Sequence, residues 1–199
     1  MMKMASRTAA ACISSLLFFY TLSAQDRQAT PGSAASATGN AQLKIVLIRH
    51  AEKPKQGDNL TCQGLNRSLQ LPAVLHSRFG LPTTTYIPAM ALGDSTKHSR
   101  MFQTIIPFAV KYNLPLTSKF AEDDSTQLAQ EALNKRGTVL VIWEHKRIPS
   151  LAHALGVADK SLHWPDDDYD SIWIITFRHG VARLTRSREG LKPVTACPF

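Results

Sequence analysis

Residues 43–54 read Leu43-Lys44-Ile45-Val46-Leu47-Ile48-Arg49-His50-Ala51-Glu52-Lys53-Pro54. The apolar run over positions 45–48 has the composition of a fully buried strand. It stops abruptly at an Arg-His pair. A buried strand that delivers a guanidinium and an imidazole at its C-terminal end is a common way to build a site on an α/β sheet. The two residue types also suit one chemistry, a nucleophilic imidazole beside a guanidinium that can clamp a phosphate.

Working outward, a second run of the same kind occupies residues 138–143, Thr-Val-Leu-Val-Ile-Trp, and it too ends in a polar pair, Glu144-His145. Between the two runs, residues 61–79 read as a helix. Leu65, Leu69, Leu75 and Phe79 give it a loose apolar stripe, and Pro72 is expected to interrupt it. Residues 84–88, with Met90 and Leu92, suggest a strand, and Gly93-Asp94-Ser95 a turn. Residues 100–112 read as a helix broken or kinked near Pro107, and residues 116–120 as a short strand. Helices are expected over 125–134 and 148–155. Residues 171–177 and 181–185 flank Arg178-His179-Gly180 as a hairpin. This order predicts an α/β domain with a mostly parallel central sheet flanked by helices and a C-terminal antiparallel hairpin.

The chain has 199 residues, 44% hydrophobic and 19% charged, which fits one globular domain with a real core. Its N-terminus reads differently. Lys3 and Arg7 precede an uncharged stretch rich in Ala, Leu and Phe that closes at Leu22-Ser23-Ala24. That is the pattern of a secretory signal peptide over residues 1–24. The apolar stretch is about 15 residues, short of the ~20 a spanning helix needs, so contact with a membrane is expected only through an uncleaved signal. Residues 25–41 read as a flexible linker and residues 42–199 as the domain. A periplasmic or secreted location follows. The formal charge of +8 falls to +6 once Lys3 and Arg7 leave with the signal. This balance favours anionic ligands, but no basic run with interleaved aromatics points to nucleic acid. Cys62 and Cys197 remain as an even pair in an oxidising compartment; a disulfide and two separate thiols are both open readings.

If the two buried strands are neighbours, Arg49, His50, Arg100 and His145 converge on one crevice. At these residues the chain resembles the histidine phosphatase superfamily, with the phosphoglycerate mutase-like fold, as an exported bacterial-type member. The resemblance has three parts in order: Arg49-His50-Ala51-Glu52-Lys53 after the first strand, Ser99-Arg100-Met101-Phe102-Gln103-Thr104, and the strand bearing His145. It implies a phosphoric monoester hydrolase in which His50 forms a phosphohistidine and water then releases phosphate. Arg49, Arg100 and His145 would bind the phosphate of a small phosphorylated substrate or another oxyanion. Adjacent guanidiniums disfavour the imidazolium form of His50 and stabilise transition-state charge. No metal or other cofactor is implied, and no metal-ligand spacing suggests one.

Two departures from the family pattern bear on mechanism. The acid that protonates the leaving group is open between Glu122, Glu144 and no dedicated acid, with Glu122 preferred. Glu144 stands where the family carries a smaller residue, and strand alternation would turn it away from His145 unless the chain bends there. Lys53 either leans over the phosphate or is solvated. His98 is expected to be a loop residue without a catalytic role. Asp166-Asp167-Asp168 reads as a solvated loop, since it lacks the features of a calcium loop. Two other functions fit the same residues: a non-catalytic protein that binds a phospho-ligand, and a phosphatase directed at phosphohistidine. Specificity is expected in residues 54–64, 86–98 and 120–130, which the sequence does not resolve into a substrate.

Overall fold

A computed structural model describes residues 42–90 and 96–197. The expected signal segment, linker and Gly93-Asp94-Ser95 turn lie outside the described residues. Lys44–Arg49 forms β1, followed by α1 (Cys62–Phe79), β2 (Thr84–Tyr86), α2 (Ser99–Tyr112), α3 (Ser125–Leu133), β3 (Thr138–Trp143), α4 (Ile148–Ala154), β4 (Ser171–Arg178) and β5 (Val181–Arg188). One five-stranded sheet runs in the order β2-β3-β1-β4-β5. The expected helix-flanked sheet is present, and it is mixed. β1, β2 and β3 are parallel, β4 runs antiparallel to β1, and β5, antiparallel to β4 in the predicted hairpin, returns to the direction of β1.

The central position of β1 explains its composition. Side chains alternate across a strand, so a strand covered on both faces must be apolar throughout. Ile45 and Leu47 pack with Val139, Val141 and Trp143 against α3 and α4, through Leu128, Ala132, Ile148 and Leu151. Val46 and Ile48 pack with Leu140 and Ile142 on the other face, against Leu71 and Leu75 of α1 and Ile105 and Phe108 of α2. The chain leaving β1 thus enters a helix on one face, and the chain leaving β3 enters a helix on the other. A crevice opens where adjacent parallel strands diverge in this way.

Neither internal proline ends its helix. An interior proline loses a hydrogen bond and costs about 3 kcal/mol. Burial of Leu71, Pro72 and Leu75 in α1, and of Ile105 and Phe108 in α2, offsets that cost. The buried stripe of α1 also differs from the expected one. It runs through Gly64, Arg67, Ser68, Leu71 and Leu75, at helical spacing, while Leu69 is 56% exposed. Leu75 and Phe79 of the expected stripe do pack in this core, but the N-terminal half of the buried face is polar, so reading for apolar residues misses it. Residues 116–120 supply only a single bridge, Thr117 to Tyr86, rather than a strand.

The polar half of that stripe anchors the loop after β1. Arg67 Nε donates to both carboxylate oxygens of Glu52, at 3.0 and 2.9 Å, and Nη1 donates to Glu189 at 2.6 Å. All three residues are buried. Burial pushes the Glu189 carboxyl up to about 7 against the pull of Arg67. Gly64 lets α1 approach this loop: a Cβ there would sit 2.3 Å from the Glu52 carbonyl oxygen. Thr61 caps the helix by accepting from the Gly64 amide at 3.1 Å.

Cys62, the first residue of α1, is disulfide-bonded to Cys197, with Cα atoms 4.8 Å apart. Asn66 Nδ2 holds the same tail through the carbonyls of Val194 and Ala196, each at 2.8 Å. The bridge joins residues 135 positions apart and so restricts a long loop in the unfolded chain. Replacing both cysteines by serine is expected to lower the unfolding free energy by about 2–4 kcal/mol in urea titrations. Added reductant should then have no further effect on the variant.

Candidate active site

β1 and β3 pair in register, Arg49 opposite Trp143, so the residues that follow them meet at one end of the sheet. His50 is fully buried there. Its Nδ1 lies 2.7 Å from the Ala51 carbonyl oxygen, which can only accept, so Nδ1 carries the proton in that contact. Nε2 is left facing Glu144, whose Oε2 is 3.2 Å away. Thr104 fixes the turn from beneath: its hydroxyl accepts from the Ala51 amide at 2.9 Å and donates to the Arg100 carbonyl at 2.7 Å. Gln103 accepts from the Leu60 amide and donates to Asn59, tying the next loop to α2.

Arg49 is held by the loop that precedes β4. Its Nη1 donates to the carbonyls of Pro165, Asp166 and Asp168, at 3.3, 2.9 and 3.1 Å. The guanidinium lies over the Tyr169 ring, 3.9 Å from the centroid. Its Nη2 donates to His145 Nδ1 at 3.0 Å. Burial pulls the Arg49 guanidinium below its ordinary range, against the charges around it. Arg100, in the first turn of α2, donates through Nη2 to the Gly57 carbonyl and lies 3.9 Å from Asp58. Among the described residues, the Nε atoms of Arg49 and Arg100 are the two buried side-chain polar atoms without a hydrogen-bond partner.

His145 is buried as well, and its Nε2 lies 2.7 Å from Asp166 Oδ1. Its Nδ1 faces both Arg49 and Glu144 Oε1, the latter at 2.5 Å. In the neutral ring Nδ1 accepts from Arg49; in the imidazolium it donates to Glu144. Glu144 therefore points toward His145, against the expectation from strand alternation. β3 ends at Trp143, and the Glu144 carbonyl already accepts the amides of Arg147 and Ile148, at 2.9 and 3.1 Å, in a turn. Alternation does not extend past the last paired residue. Burial raises the Glu144 carboxyl, but hydrogen bonds from His145 and His50 outweigh it and hold the group well below the usual carboxylate range.

Glu122 lies elsewhere on the wall. Its carboxylate contacts His98 Nδ1 at 2.6 Å, and its carbonyl accepts from the buried Trp143 indole at 3.0 Å. Lys53, Arg100, Glu122, Glu144 and His145 all line one cavity of about 600 Å³, together with His98, Asp166 and Tyr169. His98, expected as a loop residue, directly precedes α2 in the left-handed conformation (φ 57°) and is on this wall. Asp166 departs from its reading in part. Its side chain is 79% exposed, as a solvated loop requires, yet it bonds His145, and its backbone helps hold Arg49. No periodicity marks these loop residues, so neither role is written locally.

His50 Nε2, a Glu144 oxygen and a His145 ring nitrogen lie within 4.8 Å of one another. Two imidazoles and a carboxylate have the donor chemistry of a divalent-cation site. The Arg49 guanidinium 3.0 Å from His145 Nδ1 opposes a cation there and suits an anion.

No family model and no curated protein matches the chain. Solved structures do. The chain is similar to the protein histidine phosphatase SixA complexed with tungstate, at 15% identity and a TM-score of 0.53, over 73% of this chain and 97% of that one. It is similar also to phosphoserine phosphatase from Entamoeba histolytica in complex with phosphoserine, at 14% identity and a TM-score of 0.51, over 74% and 97% of the two chains. The same Entamoeba histolytica enzyme in complex with 3-phosphoglyceric acid gives 14% identity and a TM-score of 0.51, over 75% and 98%. These structural neighbours are members of the histidine phosphatase superfamily, and the fold is phosphoglycerate mutase-like.

Glu144 gives the site a measurable pH signature. A carboxyl held below its unfolded value of 4.5 contributes stability that is complete above that value and is lost as the pH falls. Glu144→Gln is therefore expected to cost stability at about pH 7, with the cost shrinking toward about pH 3 in urea titrations. A cost independent of pH would show that the carboxylate gains nothing from its two histidines.

Proposed function

We propose that this chain is a phosphatase that hydrolyses a phosphomonoester through a phosphohistidine on His50. One observation carries the reading. The His50 Nδ1 proton is committed to Ala51, so Nε2 is left toward Glu144, which lines the cavity with Arg100 and His145, and the guanidiniums of Arg49 and Arg100 each keep a buried Nε–H without a partner. A phosphoryl group at that point supplies the missing acceptors. The similar fold of a histidine phosphatase bound to tungstate and of a phosphoserine phosphatase bound to phosphoserine supports the choice of ligand class.

In this reading His50 reacts as the neutral imidazole with its proton on Nδ1, and Glu144, once the bound phosphoryl group separates it from the two histidines that hold it ionised, carries a proton for the leaving oxygen. Nε2 attacks phosphorus, the bond from phosphorus to the leaving oxygen breaks, and Glu144 gives its proton to that oxygen. A water then attacks the phosphohistidine, gives its proton to Glu144, and phosphate leaves. Arg49, Arg100 and His145 hold the non-bridging oxygens and stabilise their charge. Lys53 adds positive charge on the wall. The geometry favours Glu144 over Glu122 as the acid, because Glu144 touches His50 while the Glu122 carboxylate is engaged by His98. The Cys62–Cys197 disulfide supports the expected export to the periplasm or beyond, since such bonds persist in oxidising compartments.

The purified protein is expected to hydrolyse p-nitrophenyl phosphate, and His50→Ala to abolish this. Acid-labile phosphate should remain on the wild-type chain after rapid quenching. Phosphate binding without turnover would instead favour a binding protein of the same fold.

Glu144→Gln is expected to slow an alkyl phosphate by about 10²–10⁴-fold and p-nitrophenyl phosphate much less, because nitrophenolate leaves without a proton. Glu122→Gln is expected to slow both esters alike. The opposite pattern between the two variants would assign the acid to Glu122.

A further inference from the structure

The two imidazoles of the site are held at opposite nitrogens. His50 is held at Nδ1 by the Ala51 carbonyl, which leaves Nε2 facing Glu144. His145 is held at Nε2 by Asp166 Oδ1, 2.7 Å away, and turns Nδ1 toward Arg49 Nη2 and Glu144 Oε1. The two rings stand at 82° to each other, with centroids 6.4 Å apart. When neutral His145 accepts from Arg49 at Nδ1, its one proton sits on Nε2; in the imidazolium both nitrogens carry one. Nε2 therefore donates to Asp166 in either form, and only Nδ1 changes its role.

A surface ion pair is ordinarily weak, because ordering two mobile side chains offsets the attraction. Here both partners are already fixed. His145 is buried, and the backbone of residues 165–168 is pinned where the carbonyls of Pro165, Asp166 and Asp168 accept from Arg49. The Trp164 indole donates to the Asp168 carbonyl at 2.8 Å, and the Asp168 carboxylate accepts from the amides of Asp170 and Ser171. The contact with His145 holds the exposed Asp166 carboxyl below its ordinary range.

We infer that Asp166 is a positioning residue for His145: by accepting from Nε2, it leaves Nδ1 as the atom that meets the phosphoryl group. This inference rests on the phosphatase reading for the position of that group. When a phosphoryl oxygen takes the place of Glu144 at Nδ1, the ring donates from both nitrogens, and Asp166 supplies the balancing charge at Nε2.

The test compares the wild type with Asp166→Ala, which removes the carboxylate and keeps the backbone carbonyl that holds Arg49. Nitrogen-15 NMR of the imidazoles at neutral pH, with inorganic phosphate bound, reads the proton on each ring nitrogen; His145 is assigned by its absence in His145→Asn. The expected result is a His145 protonated at both nitrogens in the wild type and losing one proton in D166A. Phosphate affinity by calorimetry should fall by about tenfold in D166A, the size of one hydrogen bond to a charged group. Support requires both changes. Weaker binding with the ring protons unchanged shows a merely structural aspartate and overturns the inference. So does a His145 without a proton on Nε2 in the phosphate-bound wild type, or phosphate affinity unchanged in D166A. If p-nitrophenyl phosphate is not turned over, the phosphatase reading fails, while the ring protons and phosphate affinity still decide the role of Asp166. A wild type that does not bind phosphate overturns both.

Discussion

The parallel pairing of β1 with β3 is the constraint on which the rest depends. It aligns Arg49 with Trp143, so His50 and Glu144 leave their strands side by side although 94 residues separate them. The register is enforced from both faces. Ile45 and Leu47 belong to one core and Val46 and Ile48 to the other, and a one-residue slip would exchange all four between cores built for different neighbours. The site inherits its precision from that packing, since a buried strand cannot shift without opening voids.

The polar groups beyond the strands are organised in two shells with different materials. Backbone carbonyls of the loop before β4 hold Arg49, and side-chain carboxylates hold His145 and His98. On the far side, Arg67 gathers Glu52 and Glu189 into a buried cluster that fixes the loop following His50. A buried cluster of this kind gains little net stability after desolvation, but losing one member leaves an uncompensated charge. Its value lies in holding one conformation of the loop that follows the fully buried His50.

Much of the fold was legible because burial leaves a direct trace in residue type. Both central strands read as continuous apolar runs, and each structural strand begins and ends within the predicted run or at its edge. The helices were legible in extent and misread in detail. Pro72 was expected to interrupt one helix and Pro107 to break or kink the other, but neither ends its helix, because tertiary packing outweighs a local cost of about 3 kcal/mol. The N-terminal half of the inner face of α1 was missed because Arg67 and Ser68 are buried by polar contacts, which no hydropathy pattern records.

The sequence by itself determined which polar residues stand at the candidate site: an arginine and a histidine after one buried strand, a glutamate and a histidine after another, and an arginine opening a helix between them. It could do so because strand ends are marked by a sharp change in polarity. Only the tertiary structure decided which groups touch. It turned Glu144 inward where β3 stops, set His98 against Glu122, and brought Asp166, Tyr169 and three carbonyls around His145 and Arg49. It also joined Cys62 to Cys197. These contacts lie in loops, where no periodicity ties a side chain's direction to its position in the chain, so their geometry exists only once the sheet and its helices have fixed the loop ends.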